Sequence, residues 1–336
     1  MKKNMREWVN RTILEPRKRP LPILSFPAIQ IMGVTVKELV NDSETQAQAM
    51  RLLVERNHPI ASVSLMDLSV EAEAFGAEVR FSDFEVPTVI GSVAKNMDDA
   101  EGLIVPSVGD GRTCIYLDAV KRAVSLIQDT PVLAGIIGPF TLAGQLIGVT
   151  ETFKAARRNP EMLHLVLEKC TQFITAYALA YQEVGSNGVF MAEPLTGLLS
   201  PSMAIEFSEP YVKQIVDRVQ SDHYVAIYHN CSGNALLMID SILRTGAIGY
   251  HFGNAISMPD AISKCPPNTL CLGNIDPRTL LIDTADQVRQ ITRVMLEDCG
   301  SAPNYIPSTG CDVPPLAKWD NIDSFYEEIG YFYNEL

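Results

Sequence analysis

Three things are scarce or missing in this chain, and each absence closes off a class of function. The first is positive charge. Among 336 residues, 40 Asp and Glu face 27 Lys and Arg, for a formal net charge of −13. A surface that neutralises phosphates needs the opposite balance, so no nucleic-acid partner is expected. The basic run Arg17-Lys18-Arg19 is short and reads as a solvated loop. The second is a disulfide framework. Seven cysteines, an odd number, are scattered at positions 114, 170, 231, 265, 271, 299 and 311, which points to a reducing compartment. The third is a long uninterrupted hydrophobic run. No charged residue lies between Asp129 and Glu151, but Pro131, Gly135, Gly138, Pro139, Gly144 and Gly148 punctuate that stretch. A strand, a turn and a helix start account for it better than a membrane span. The N-terminus, Met1-Lys2-Lys3-Asn4-Met5-Arg6, runs into Glu7 without the apolar segment of a signal peptide. The expectation is a cytoplasmic protein with no membrane partner.

What is present is a regular alternation. Short apolar runs alternate with longer amphipathic stretches, as in a parallel sheet built from βα units. The expected strands are Pro22–Ser25, Ala61–Leu65, Val132–Ile136, Gly188–Met191, Tyr224–Tyr228, Ile248–His251, Thr269–Leu272 and Tyr305–Pro307. Helices are expected over Val36–Glu55, Pro160–Val184, Met203–Val219, Asn234–Arg244 and Ala285–Asp298, with Asn234 as a cap and Gly185 and Gly246 as helix-ending glycines. Eight strands with helices between most of them predict an α/β fold, a (β/α)8 TIM barrel. Residues 68–115 are less regular and read as an insertion after the second strand, in hairpin form. No repeat, low-complexity segment or domain linker stands out, so residues 1–336 read as one barrel domain.

Active sites of such barrels lie at the C-terminal ends of the strands. Several polar residues fall there on this assignment: Asp67, Glu193, His229, Cys231, His251, Asn274, Asp276 and Cys311. His229 and Cys231 are spaced i, i+2 at the close of an apolar run, and on a strand that spacing puts both on one face. With Cys311 arriving from a distant loop, an imidazole and two thiolates form a one-His, two-Cys zinc site. Three protein ligands leave the fourth tetrahedral position open, the catalytic arrangement. The bland reading of a free cysteine is a small buried hydrophobe, and Cys114, Cys170, Cys265, Cys271 and Cys299 are assigned that structural role. His58, His164 and His223 read as surface or packing residues. Asn274 and Asp276 read as turn residues that tie up a loop.

Several segments carry a family resemblance. Gly138-Pro139-Phe140-Thr141-Leu142, Gly273-Asn274-Ile275-Asp276-Pro277 and Gly310-Cys311-Asp312-Val313-Pro314-Pro315 together resemble the uroporphyrinogen decarboxylase superfamily. Met66-Asp67-Leu68-Ser69-Val70-Glu71-Ala72-Glu73 and the segment from Glu193 to Pro201 add to it. The resemblance runs from about Pro22 to Tyr331 and implies the barrel of that superfamily. Within it the chain resembles the zinc-dependent corrinoid methyltransferases, whose type is methylcobalamin:coenzyme M methyltransferase. Their His-x-Cys…Cys mark maps onto His229, Cys231 and Cys311. The decarboxylases carry an arginine-rich segment after the first strand that holds substrate carboxylates. Here Phe26-Pro27-Ala28-Ile29-Gln30-Ile31-Met32-Gly33 has no arginine. The chain also departs from the methyltransferases, with His251 where an acidic residue often stands.

The resemblance implies a zinc enzyme that moves a methyl group from methylcobalamin, carried on a separate corrinoid protein, to a small thiol such as coenzyme M. A free thiol titrates at about 8.5 and is a poor nucleophile until ionised, which coordination to Zn2+ achieves. Asp67 is expected to orient His229, to bind substrate, or to face the corrinoid. Glu193 and His251 are candidates for the fourth zinc position or for contacts to the thiol. The rivals are a tetrapyrrole decarboxylase of the uroporphyrinogen type and a non-catalytic corrinoid- or tetrapyrrole-binding barrel. The cobalamin-binding Asp-x-His-x-x-Gly signature is absent, so no corrinoid of the chain's own is expected.

Overall fold

The apolar runs become the staves of one parallel sheet in the computed structural model, which describes residues 3–335. In chain order the sheet holds β1 (Ser62–Val63), β4 (Val132–Ile137), β5 (Gly188–Ala192), β6 (Val225–Asn230), β7 (Gly249–Phe252), β8 (Leu270–Ile275) and β9 (Tyr305–Thr309). Every neighbouring pair is parallel. The remaining two, β2 (Glu78–Arg80) and β3 (Thr88–Ile90), pair antiparallel as a hairpin within the irregular stretch. The expected strand Pro22–Ser25 does not form a regular strand. Its extended segment still fills the eighth position, because Leu21 N donates to Pro307 O at 3.0 Å and Ile60 N donates to Pro20 O at 3.1 Å. Pro20 and Pro22 have no N–H to give the ladder, and Ile23 N turns to Thr309 Oγ1 instead of a carbonyl. The architecture is the (β/α)8 barrel.

Three of the expected helices are broken or shortened. Val36–Glu55 is two helices, Val36–Asn41 and Ser43–Asn57, split at Asp42, whose carboxylate accepts from Thr45 N and caps the second. Met203–Val219 is likewise two, Pro201–Phe207 and Glu209–Val219, with Pro210 in the first turn of the second, where its missing N–H costs nothing. Asn234–Arg244 opens as a 3-10 turn, Ala235–Met238, before the helix Ile239–Arg244. Asn234 does not cap it; its amide donates to Gly197 O. The long helix Pro160–Glu183 is as expected and ends at Gly185, which takes a φ of 100°. The charge-free segment resolves into β4 and the helix Pro139–Ile147. No helix among the described residues is long and apolar enough to cross a membrane.

Strand alternation sorts side chains into two packed sets. Val225 and Ile227 of β6 point into the barrel with Phe190, Leu270, Leu272 and Ile306, while Ala226 and Tyr228 face the surrounding helices. The interior is therefore packed side chains, not a pore. At its N-terminal end the helix Met5–Leu14 adds Met5 and Val9 to the interior cluster and is tied down by Met5 N donating to Asp222 O at 2.7 Å. The other end opens into a cavity of about 570 Å³.

Candidate metal centre

His229 shares the inward parity of Val225 and Ile227, so its ring sits on the last interior layer of β6, in register with Ala192 of β5 and His251 of β7. Cys231 follows directly after that strand, and Cys311 lies two residues beyond β9. The two cysteine segments meet on the short segment that follows β7. A Cβ on Gly253 would lie 2.5 Å from the Cys231 backbone, and one on Gly310 would lie 2.4 Å from Asn254 N. Only glycine allows backbones to approach this closely. Asn274 holds the platform by donating to Gly253 O at 2.9 Å and to Ile256 O at 3.2 Å. Its loop-tying role is as expected, and Asp276 similarly binds Arg278.

The ligand atoms of His229, Cys231 and Cys311 all lie within 4.8 Å of one another. A tetrahedral zinc ion, bonded to sulfur at about 2.3 Å and to nitrogen at about 2.0 Å, sets such ligands roughly 3.5 Å apart. The 3.7 Å between Cys311 Sγ and His229 Nε2 already suits a shared ion. The donor set, one borderline nitrogen and two soft sulfurs, fits zinc. The two thiols share a proton: the bond from Cys311 brings Cys231 down to about 7, and Cys311, holding that proton against Cys231, is pushed up to about 12.

His251 is fully buried and does not enter the cavity. Its Nδ1 lies 2.7 Å from His229 Nδ1, and its Nε2 lies 2.8 Å from Ser308 Oγ, which donates to Leu21 O at 2.7 Å. Burial, then the neighbouring His229, hold its pKa well below the usual imidazole range, so it stays neutral. A neutral ring donates once and accepts once. With Ser308 donating to Leu21, one consistent arrangement has His251 Nε2–H donating to Ser308 and His251 Nδ1 accepting from His229 Nδ1–H. That leaves the lone pair of His229 Nε2 facing the sulfurs. His251 thus stands behind a ligand, and the structure directs it away from the fourth position.

Glu193 is also fully buried, and both its oxygens are occupied. They accept from Phe140 N at 2.8 Å, Thr141 N at 3.0 Å and Thr141 Oγ1 at 2.7 Å, capping the helix Pro139–Ile147. Burial raises its pKa to about 7 despite those bonds. Asp67 does not orient His229. It accepts from Ser69 N and Oγ, from Arg112 Nη1 and from Tyr116 Oη. Arg112 lies in the insertion, and the sequence offered no spacing signal for its pairing with Asp67 and Glu73. Of the cysteines taken as structural, Cys170, Cys265, Cys271 and Cys299 are buried, whereas Cys114 is exposed.

The cavity above the centre is walled by Met66, Leu68 and Ala192, by the helix-start residues Gly148 and Val149, and by hairpin residues Pro87 to Val89. Its lining holds no Lys or Arg among the described residues, and one carboxylic acid, Asp312. Asp312 Oδ1 is buried without a hydrogen-bond partner. Burial above all, then the neighbouring Cys311, lifts its pKa well above the carboxylate range, and Asp67 adds to the shift. Asp312 lies in the Gly310-to-Pro315 motif, where nothing local signals its burial.

Residues 23–331 match the uroporphyrinogen decarboxylase (URO-D) family. The chain belongs to that family. Its relatives include proteins of two kinds. A methylcobamide:CoM methyltransferase of Methanosarcina acetivorans is 26% identical over 339 residues, covering 96% of this chain and 98% of that one. A uroporphyrinogen decarboxylase of Desulfotalea psychrophila is 26% identical over 277 residues, covering 80% of each. Among solved structures, a methyltransferase from Methanosarcina mazei superposes with a TM-score of 0.85 at 22% identity, covering 98% of both chains, which supports the barrel assignment.

Proposed function

We propose that this URO-D family member is a zinc-dependent methyltransferase that moves a methyl group from a methylated corrinoid protein to a small thiol. The observation that carries the reading is the convergence of His229, Cys231 and Cys311 within 4.8 Å at the floor of a cavity. Three ligands from the chain leave a fourth corner for an acceptor. Zinc bound there would lower the proton affinity of an acceptor sulfur and hold it in place. The chain's own residues do the rest. His251 would hold His229 Nδ1, with its own Nδ1 at 2.7 Å and its backbone oxygen at 3.3 Å, and the loop after β7 keeps the two sulfurs adjacent. Met66, Leu68 and Val149 give the cavity beside the sulfurs an apolar wall. In the transfer the acceptor's S–H proton would pass to solvent, a carbon–sulfur bond would form, and the carbon–cobalt bond of the donor would break with its electron pair staying on cobalt.

The methyltransferase relatives support this reading over the decarboxylase one, and so does the cavity. A substrate rich in carboxylates needs cations, and the lining supplies none. Arg112 is already bound to Asp67 and Glu73. The protein is expected to bind about one zinc ion per chain. A Cys231→Ala variant should lose both the metal and the ability to demethylate methylcobalamin in the presence of thiol. Full activity in that variant would falsify the reading.

A further inference from the structure

A second cavity, of about 650 Å³, lies at the end of the barrel away from the metal centre. Ile60 and Pro131, which lead into β1 and β4, and Ile306 near the start of β9 line it, as does one face of the helix Met5–Leu14. In a chain with 27 Lys and Arg against 40 Asp and Glu, this cavity reverses the balance. Lys3, Arg11, Arg17, Lys18 and Arg19 line it, opposed by Glu7, Glu15 and Asp129 alone. The run Arg17-Lys18-Arg19, read from the sequence as a solvated loop, is solvated at its two arginines, but Lys18 is only 7% exposed. Its ammonium donates to Thr12 O at 2.7 Å and to Ile13 O at 2.8 Å, closing the last turn of the helix. An ammonium carries three protons, so one remains for a ligand. Burial lowers the Lys18 pKa to about 8 and Glu15 opposes the shift, so a further negative group beside it is favoured. The side chains of Arg11, Arg17 and Arg19 have no hydrogen bond or ion pair with any described residue. Free guanidinium groups around a concave site present paired N–H donors that match phosphate oxygens. Beside them, half-buried Trp8 with Ile60 and Ile306 supplies an apolar surface.

We infer that this cavity binds a small phosphate ester as its dianion, with the phosphate held by Lys18 and the neighbouring guanidiniums and the apolar body laid against Trp8. The excess of cations over carboxylates favours a dianion over a monoanion. The volume is in the range that takes a small organic ligand. The site stands apart from the methyl-transfer reading, because the packed interior side chains of the barrel separate it from His229 and the two cysteines.

Phenyl phosphate, phenyl sulfate and phenol share one ring and differ in charge. Their binding to the full chain is measured by calorimetry at constant ionic strength, at a pH where the phosphate carries both charges. Phenyl phosphate is expected to saturate a single site at least about tenfold more tightly than phenyl sulfate, with no measurable binding of phenol. Arg17→Gln/Arg19→Gln is expected to weaken phenyl phosphate by at least about tenfold at unchanged circular dichroism. Arg157→Gln/Arg158→Gln, a pair exposed at the end of the helix Val149–Arg158, should leave it unaltered. Lys18→Met is expected to abolish binding; if that variant does not fold, the Arg17 and Arg19 pair decides. The inference is overturned by the absence of saturable phenyl phosphate binding, by equal affinity for the two esters, by an affinity that Arg17→Gln/Arg19→Gln leaves intact, or by equal losses in the two arginine pairs.

Discussion

His229 turns Nε2 toward the sulfurs while its Nδ1 meets a second histidine, at His251 Nδ1 and at the His251 backbone oxygen. Outer partners of a metal-bound imidazole set its tautomer and orientation, and their loss typically lowers metal affinity by about 10–100-fold. His251→Leu is therefore expected to weaken zinc binding by that order while leaving the ligands in place. Competition with a chelator checks it, and an unchanged affinity would remove His251 from the design. Ser308→Ala should have a smaller effect in the same direction, because His251 keeps its contact with His229. At this scale the sequence was informative about the ligands, since a His-x-Cys pair at the end of an apolar run and a distant Gly-Cys carry their own chemistry. It was uninformative about their supports. Asp67, Glu193 and His251 all stand at strand ends, but which neighbour each one binds depends on the directions of side chains brought together from different strands. Ser308, hidden in an apolar strand, gave no signal at all.

Between residues and fold lie the segments that carry the sulfurs. Both pack against the turn after β7, where Gly253 and Gly310 permit backbone contact. Gly253→Ala would put a methyl group 2.5 Å from the Cys231 backbone, so Cys231 must move. The expected outcome is loss of most zinc at near-native secondary structure, followed by metal analysis alongside circular dichroism; a variant with full zinc occupancy would show that the loop adapts. The hairpin β2–β3 also acts at this scale, since Pro87, Thr88 and Val89 form part of the cavity wall. Its existence was readable from the irregularity of residues 68–115, but its place over the barrel mouth was not, because nothing local ties a hairpin to a strand end far along the chain. Helix breaks such as Asp42 and Ser208 were missed for a related reason. Apolar periodicity continues across them, and only the competition between caps reveals the interruption.

For the whole molecule, the buried acids set a pH dependence. Burial pushes Glu71 and Glu193 up to about 7, whereas in an unfolded chain each titrates at about 4.3. Between those values the folded protein keeps protons that the unfolded chain has released, so their contribution is fully present below about pH 4.3 and is lost as pH rises through about 7. A Glu71→Gln variant should gain on the parent by up to about 3 kcal/mol between pH 4 and about 8 in denaturant titrations. A pH-independent difference would show that Glu71 ionises freely. The barrel itself was legible in the chain, because a βα alternation and inward-facing apolar parity are local properties, repeated at each strand. So was the trio His229, Cys231 and Cys311, since donor chemistry belongs to residue type. The tertiary structure decided everything that depends on closure: the irregular eighth stave, the His229–His251–Ser308 chain running across three strands, the glycine contacts that bring two sulfurs together, and a cavity with an unpaired acid and no cation. Those features arise between residues up to 287 positions apart, as Leu21 and Ser308 are, and no local pattern encodes the distance between them.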